Sequence, residues 1–295
     1  MRYINKTGNE PQMLIDWKGR LSEKLTQMES DPNKTGDDLW KLMNDDRTEI
    51  DKTRLKEHLV KKQGYLCCYC GAKVFPDHNS HVEHLHPKNL HKYLTYDYDN
   101  LLVSCMGGSK SVIHVVKAGE SMESIAMQYG VDKEFLEMVY VDQAFIDKVK
   151  YDYDLEALKP DDRVVIFPKD TARIHCGHKK DSNEIGITPL QSDVEDHFRY
   201  DPQTGEIRIT EANAHTVHTL GLNGNKLLNR NRAKILEKGI HAFQLIQNNA
   251  PTRGEDPSIF IKKLIRDYVA IISSKDEQGY FRTWYFVEAS LFWGS

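Results

Sequence analysis

The chain has 295 residues and a formal net charge of -4, with 39% hydrophobic and 28% charged residues, which excludes a disordered or fibrous protein. This length suffices for one large domain or two smaller ones, each with a sizeable core. No apolar run approaches the roughly 20 residues that span a bilayer, and the first residues lack the apolar stretch of a secretory signal. We therefore expect a cytoplasmic protein whose thiols stay reduced.

The charge is unevenly spread along the chain. Residues 112–168 contain 12 acidic and 6 basic residues, a net charge of -6, whereas the remainder has 34 basic and 32 acidic residues, a net charge of +2. Nucleic acids attract proteins mainly through their phosphates. Any attraction for nucleic acid is therefore expected in the remainder and not in the acidic stretch.

Three helices are predicted before the first cysteine. The first begins at Pro11 and carries apolar residues at helical spacing. The second contains Leu39–Met43, and the third runs from Asp51, a suitable N-cap residue, to a stop at Gly64. We interpret all three as scaffold.

The five cysteines lie within residues 67–105 and at position 176. Two thiolates separated by two residues fit one tight turn, and the glycine that follows gives the backbone freedom there. A Cys-x-x-Cys pair alone is also typical of redox chemistry, and four ordinary buried cysteines are the alternative. Since two later cysteines can complete a four-thiolate site, we predict a structural zinc site, with Cys68 as a packed residue outside it. The predicted ligands are Cys67, Cys70, Cys105 and Cys176.

A second cluster of functional residues lies between the cysteines. Five of the thirteen histidines fall within residues 78–91, and Glu83 and His84 are adjacent. A carboxylate can hold a hard divalent cation, and a neighbouring imidazole free of metal can accept a proton from water near pH 7. Pro87 is expected to end this strand, and Asn100 opens a run to Cys105 that predicts a second strand.

Several of these segments resemble the HNH endonucleases, and more closely the HNH proteins of retron and Septu anti-phage systems, of the PtuB type. The resemblance covers nearly the whole chain outside residues 112–168. It is carried by Glu83–Lys88, Tyr98–Leu102, His175–Lys180, Pro189–Leu190, the turn at Gly205–Ile207, and Leu220–Asn223. It implies an α+β fold, mainly helical, around a zinc-stabilised ββα-metal (HNH) core.

The resemblance also implies roles for individual residues. His84 would be the general base, Glu83 and His178 would hold a catalytic Mg²⁺ or Mn²⁺ ion, and Asn100 would brace the loop between the strands. The four cysteines would hold Zn²⁺. Many HNH enzymes place a metal ligand immediately after the last cysteine, where this chain has Gly177. The lysines expected to contact nucleic acid are Lys88, Lys179 and Lys180, with a solvated helix start as the alternative for the last two.

Residues 112–168 resemble an inserted LysM module with a βααβ order. Its first and last strands, near Ile113–Val116 and Val164–Phe167, would pair antiparallel and leave adjacent ends that fit into a host loop. Its middle, Val141–Glu156, is longer than usual for that family. LysM modules bind cell-wall glycans, but without an export signal we favour a protein-contact or spacer role for the insert.

The C-terminal half is predicted to contain a hairpin around Gly205, a long basic helix from Asn223, a helix near Pro257, and an aromatic tail that closes the core. The predicted domain organisation has four parts. These are residues 1–111 (N-terminal helices and the first part of the nuclease domain), 112–168 (LysM-like insert), 169–225 (the rest of the nuclease domain and the hairpin) and 226–295 (C-terminal helices).

The expected function is cleavage of DNA by a metal-dependent HNH nuclease in anti-phage defence. The Septu resemblance implies an ABC-type ATPase partner, PtuA-like. Two alternatives remain open: an HNH nuclease that cleaves RNA such as tRNA, and a non-catalytic adaptor that binds protein or glycan through the insert. Glu83, His84, Asn100 and His178 argue against the adaptor, which needs none of them.

Overall fold

A computed structural model of the chain describes residues 1–8, 10–45, 52–77, 80–107, 112–121, 123–125, 136–140, 150–152, 160, 163–166, 174–248, 257–282 and 284–292. The chain divides into two compact units, one formed by Met1–Met106 with His175–Ser295 and the other by Gly107–Ile174. None of the described helices combines the length and the apolar character that a membrane crossing requires.

The first unit is a mixed α+β structure in which helices predominate, as predicted. Its two described strands, β1 and β2, form an antiparallel pair. Its described elements are α1 (Gln12–Arg20), α2 (Ser22–Ser30), α3 (Gly36–Asp45), α4 (Lys52–Lys62), β1 (Ser80–His84), β2 (Leu101–Cys105), α5 (Gly177–Lys180), α6 (Glu211–Thr219), α7 (Lys226–Asn248), α8 (Pro257–Ile272) and α9 (Tyr285–Ala289).

The β1–β2 pair is held in the core by its second strand. Ser80 pairs with Cys105 and His84 pairs with Leu101, so the register is continuous along both strands. The first three residues of β2 are fully buried, and the buried Gln63 side chain at the end of α4 bonds to both the N–H and the C=O of Val103 (2.6 and 2.9 Å). A side chain thereby satisfies the outer edge of β2 at Val103, where a further strand would otherwise pair.

The C-terminal tail packs against the turn that carries the first two cysteines. The indole Nε1 of Trp284 donates a hydrogen bond to the carbonyl oxygen of Cys70 (2.8 Å). Gly71 has a φ of +75°, and a Cβ atom there would collide with the ring of Phe286. The aromatic tail therefore closes the core at this turn, and glycine is needed both for the backbone conformation and for the close approach.

The second unit contains a four-stranded antiparallel sheet of β3 (Val112–Val115), β4 (Leu136–Tyr140), β5 (Lys150–Asp152) and β6 (Arg163–Ile166), in the order β3-β6-β4-β5. The first and last strands pair antiparallel, as expected. The expected βααβ order did not include β4 and β5, which lie between the first and last strands in the chain. Apart from β5, the long middle Val141–Glu156 lies outside the described residues.

Candidate functional site

Three separate segments of the first unit bring four cysteine sulfurs together. Cys67 and Cys70 lie on the turn after α4, Cys105 ends β2, and Cys176 immediately precedes α5. The ligand atoms all lie within 4.8 Å of one another, with 3.8 Å between the sulfurs of Cys67 and Cys176 and 3.7 Å between those of Cys70 and Cys105. Cys105 and Cys176, which are 71 positions apart in the sequence, thus share one cluster.

This sulfur cluster fits a tetrahedral zinc ion. With Zn–S bonds of about 2.3 Å, the sulfurs of such a site are separated by roughly 3.8 Å. The backbone N–H groups of Cys105 and Ala72 point at the sulfurs of Cys67 and Cys70 (3.3 and 3.5 Å), as donors to thiolates do. Cys68 is also buried but is not part of the cluster. The donor set and its spacing therefore suit a closed structural site.

Two of the four cysteines favour the thiolate form that zinc requires. Hydrogen bonds from the sulfurs of Cys105 and Cys176 lower the pKa of Cys70 to about 6. Burial would raise the pKa of Cys67, but hydrogen bonds from the other sulfurs outweigh it and lower the pKa well below the usual value. Burial and the same neighbours raise the pKa of Cys176. Binding of an ion must therefore displace the protons that remain on the cluster.

Glu83 lies on β1 beside this cluster, with its carboxylate buried among polar partners. One oxygen accepts a hydrogen bond from the hydroxyl of Tyr69 (3.1 Å) and forms an ion pair with Lys180 (3.3 Å), while the other lies 3.1 Å from Nε2 of His81. Burial raises the pKa of Glu83, but the His81 hydrogen bond and the Lys180 charge outweigh it and lower that pKa below its usual value. The group is thus held as a carboxylate.

His178 on α5 and His81 on β1 are both next to this carboxylate. Their rings meet edge to face with centroids 4.9 Å apart. Desolvation, followed by the nearby His81, lowers the pKa of His178, which favours its neutral, metal-binding form. Nδ1 of His81 is buried and has no hydrogen-bond partner among the described residues. One carboxylate and two imidazoles suit a divalent cation, although their ligand atoms do not converge as closely as the cysteine sulfurs do.

Gly177 directly follows the last cysteine, at the position where the sequence resemblance led us to expect a metal ligand. A Cβ atom built there would collide with the Glu83 carboxylate and would lie 2.6 Å from Nε2 of His81. The backbone N–H of Gly177 donates to the Ser104 hydroxyl (3.2 Å). The glycine therefore leaves room for Glu83 and His81, and His81 provides an imidazole that was not among the predicted site residues. Alternation along a strand places His81 and Glu83 on the same face, and this was the signal in the sequence that could have identified it.

His84 is buried next to Glu83 and lines the same cleft. Its Nε2 lies 3.0 Å from the carbonyl oxygen of Thr95, and its ring meets Trp40 edge to face at 4.7 Å. Since a carbonyl only accepts hydrogen bonds, Nε2 carries the proton and Nδ1 keeps its lone pair. Burial, followed by the charge of Lys88, lowers the pKa of His84 to about 4. The ring is therefore neutral near pH 7, always available as a base but a weak one.

Asn100 spans the loop between β1 and β2. Its buried side chain accepts a hydrogen bond from the backbone N–H of His86 (2.6 Å) and donates to the carbonyl oxygens of His86 and Leu94 (both 3.0 Å). These three hydrogen bonds all go to backbone groups, so Asn100 fixes the loop and leaves its chemistry to other residues.

The three lysines expected to contact nucleic acid lie in different environments. Lys179 is exposed, and Lys88 lines the cleft and pairs with Asp37 (3.0 Å). Lys180 is only 1% exposed, and its ammonium group donates to the carbonyl oxygen of His84 (3.0 Å) and pairs with Glu83. The expectation that Lys180 contacts phosphate therefore needs correction, because its buried ammonium group binds Glu83 and the carbonyl oxygen of His84.

The cleft itself is open and mainly polar at its walls. It has a volume of about 640 Å³ and is bordered by β1, by the loop that follows it, and by α5 with its continuation. Its lining includes His81, Glu83, His84, Pro87, Lys88, Asn89, Gly177, His178, Asp181 and Ser182. The residues expected to carry the chemistry, Glu83, His84 and His178, are therefore together in one cavity, while Asn100 supports its loop from behind.

Comparison with known proteins shows a partial similarity. No protein-family model matches the chain. An Escherichia coli protein assigned as the HNH endonuclease of retron Ec83 is 32% identical over 121 residues. This match spans 38% of the present chain and 40% of the relative's length. The similarity supports a relationship to HNH endonucleases over part of the chain.

Proposed function

We propose that the chain is a metal-dependent HNH endonuclease that hydrolyses phosphodiester bonds of DNA. The observation that carries this proposal is the convergence of Glu83, His84 and His178 in one open cleft beside a four-cysteine cluster. In this proposal β1, β2 and α5 are the ββα-metal motif, and the zinc site fixes its ends. So short a motif has little core of its own, and a metal cluster is a common substitute.

The side chains of the cleft divide the proposed reaction between them. Glu83 and His178 would hold a Mg²⁺ or Mn²⁺ ion with water in the remaining positions, and the newly identified His81 would orient the Glu83 carboxylate through their hydrogen bond. Such an ion, when bound, polarises the phosphodiester and stabilises the negative charge on the leaving oxygen. Nδ1 of His84 accepts the proton of the attacking water, because Nε2 is already committed to Thr95. Asn100 holds the loop that closes the cleft, and Lys88 and Lys179 contact the phosphates on either side.

The wider context of the proposal is anti-phage defence, with an ABC-type ATPase as partner. It is supported by the resemblance of Glu83–Lys88 and His175–Lys180 to Septu proteins and by the retron origin of the partial relative. We propose that the sheet-containing insert provides a protein contact or a spacer, because its acidic surplus disfavours a position along nucleic acid.

The proposed activity is tested with plasmid DNA and total RNA as parallel substrates, in Mg²⁺ or Mn²⁺, with and without the proposed ATPase partner. His84→Ala should reduce cleavage at least ~100-fold, because a positioned general base contributes a factor of this size. The exposed His241 on α7 provides a matched control, and His241→Ala should cleave like the wild type. If the wild type and His84→Ala act alike on both substrates, the nuclease proposal is wrong; cleavage of RNA alone would instead make RNA the substrate.

A further inference from the structure

A second group of metal-ligand side chains lies at the edge of the same unit, and none of its members has a part in the proposed reaction. His86, His91 and Glu184 each offer one ligand atom, and these atoms all lie within 4.8 Å of one another. Nδ1 of His86 lies 3.0 Å from one Glu184 oxygen, and Nε2 of His91 lies 2.8 Å from the other. The two imidazole rings are 5.6 Å apart at an angle of 74°.

The backbone at each of these three residues is held by its own hydrogen bonds. The backbone of His86 is held on both its N–H and C=O by Asn100. His91 precedes a short 3-10 helix, Lys92–Leu94, and its carbonyl oxygen accepts the N–H of Leu94 (2.9 Å). Glu184 follows α5, and its carbonyl oxygen lies 3.1 Å from Nε2 of His215 on α6. The cluster is thus built from positions that the backbone already fixes.

We infer that His86, His91 and Glu184 form a binding site for Zn²⁺ that is distinct from the four-cysteine cluster. Two imidazoles and one carboxylate are the ligand set of open zinc sites, in which water completes the coordination. All three side chains are partly exposed, at 45%, 33% and 40%, so an ion and its water can reach them. A softer divalent ion is favoured over Mg²⁺, which prefers oxygen ligands.

The distances require only a small adjustment on binding. Ligand atoms at about 2.1 Å from a tetrahedral ion are separated by roughly 3.4 Å. The three ligand atoms lie within 4.8 Å of one another, so the widest separation needs to close by at most about 1.4 Å, which half-exposed side chains accommodate by rotamer adjustment. Two imidazoles already facing one carboxylate lose little further entropy when they hold an ion, since the ordering has taken place on folding.

The site would connect the two walls of the cleft. On one side, Pro87, Lys88 and Asn89 follow His86 in the chain, and on the other side Asp181 and Ser182 precede Glu184. An ion bound by His86 and Glu184 therefore links segments that are 98 positions apart in the sequence. This inference does not depend on the proposed nuclease function, because it concerns binding and order and not cleavage.

The test compares the zinc content and binding of the full-length protein with that of three variants. After equilibration with Zn²⁺ and gel filtration, His91→Ala and Glu184→Gln should each contain one zinc ion fewer per chain than the wild type. His197→Ala is the matched control: His197 also pairs with a carboxylate, that of Asp193 at 3.4 Å, but belongs to no group of metal ligands within the described part of the chain. Calorimetric titration with Zn²⁺ should show that His91→Ala and Glu184→Gln each reduce the affinity of this site by more than ~100-fold. This exceeds the loss typical of a residue that only supports a ligand.

Binding of Co²⁺ separates this site from the four-cysteine cluster, because only thiolate ligands give intense sulfur-to-metal absorption. The expected absorption from the nitrogen and oxygen site is weak, is lost in His91→Ala and persists in His197→Ala. Mg²⁺ should not compete. Equal zinc content in the wild type, His91→Ala and Glu184→Gln would overturn the inference and leave ordinary His–Glu ion pairs. Circular dichroism of each variant verifies that any loss of zinc does not come from unfolding.

Discussion

The four-cysteine cluster and the group of side chains in the adjacent cleft differ in burial and in how closely their ligand atoms approach one another. The four cysteine sulfurs are close-packed, largely buried and at tetrahedral spacing, with 3.7 to 3.8 Å between neighbours. In the adjacent cleft, His81, Glu83 and His178 do not converge as closely, and His178 is exposed. Structural metal sites are closed by their protein ligands, whereas catalytic sites keep positions open for water and substrate. The contrast suggests that one cluster maintains the fold and the other is built to be completed by a ligand.

The sharpest way to test this contrast is to remove a sulfur from the closed cluster. Cys176→Ser should lose one zinc ion per chain and lower the free energy of unfolding by ~5 kcal/mol or more, because structural zinc contributes folding energy directly. Metal analysis and urea unfolding measure the two effects.

The buried Cys68 provides the control for that substitution. It lies in the same turn but outside the cluster. Cys68→Ser should retain all zinc and lose only about 1–3 kcal/mol, the cost of burying a hydroxyl group. Equal loss of zinc in both variants would show that the cluster is not a four-cysteine site.

The residues of the four-cysteine cluster and of the cleft were predicted better from the sequence than the residues that pack around them. Within three short segments, neighbouring positions in the sequence already bring the functional side chains close together. These segments are the Cys-x-x-Cys turn, Glu83-His84 and His175–Lys180. The burial of Lys180 depends on how α5 packs against β1, and no local pattern encodes that. His81 could have been found from its two-residue spacing to Glu83.

The insert shows the opposite case, in which the family resemblance did not include two of the strands that the structure contains. Leu136–Tyr140 contains several residues that occur in helices, yet it forms β4 between β6 and β5. Four of its five residues are apolar, and the β-branched Val139 and the aromatic Tyr140 are typical of strands. Short apolar segments of this kind are decided by the strands available for pairing, and that is tertiary information.

A smaller loss of stability is expected from substitution of Lys180, whose ammonium group pairs with Glu83 in the cleft. Lys180→Gln leaves the Glu83 carboxylate buried without its ion-pair partner, and such a loss costs about 3–5 kcal/mol. Lys179→Gln changes an exposed neighbour on the same helix and should stay within about 0.5 kcal/mol of the wild type. Urea unfolding of both variants measures the difference. Equal stability would mean that the Lys180 ammonium group is solvated and free to contact phosphate after all.

The smallest change adds one methyl group at Gly177, and it tests most directly whether the cleft and the four-cysteine cluster have different roles. The added Cβ would displace the Glu83 carboxylate and Nε2 of His81, so Gly177→Ala should cost about 1–3 kcal/mol of stability. Misplacing cleft groups by about 1 Å can reduce cleavage roughly 100-fold.

Gly186 is the matched control for that substitution, because its nearest neighbour to an added Cβ is Oγ1 of Thr216 at 3.9 Å, an ordinary contact. Gly186→Ala should therefore preserve both stability and cleavage. Zinc content should be unchanged in both variants, because neither glycine contributes a sulfur. If Gly177→Ala lost zinc together with cleavage, the cysteine cluster and the cleft would behave as one site, and an unchanged cleavage rate would contradict the role given to Gly177. Loss of cleavage with full zinc would show that the cysteines hold the fold while His81 and Glu83 form the reactive site.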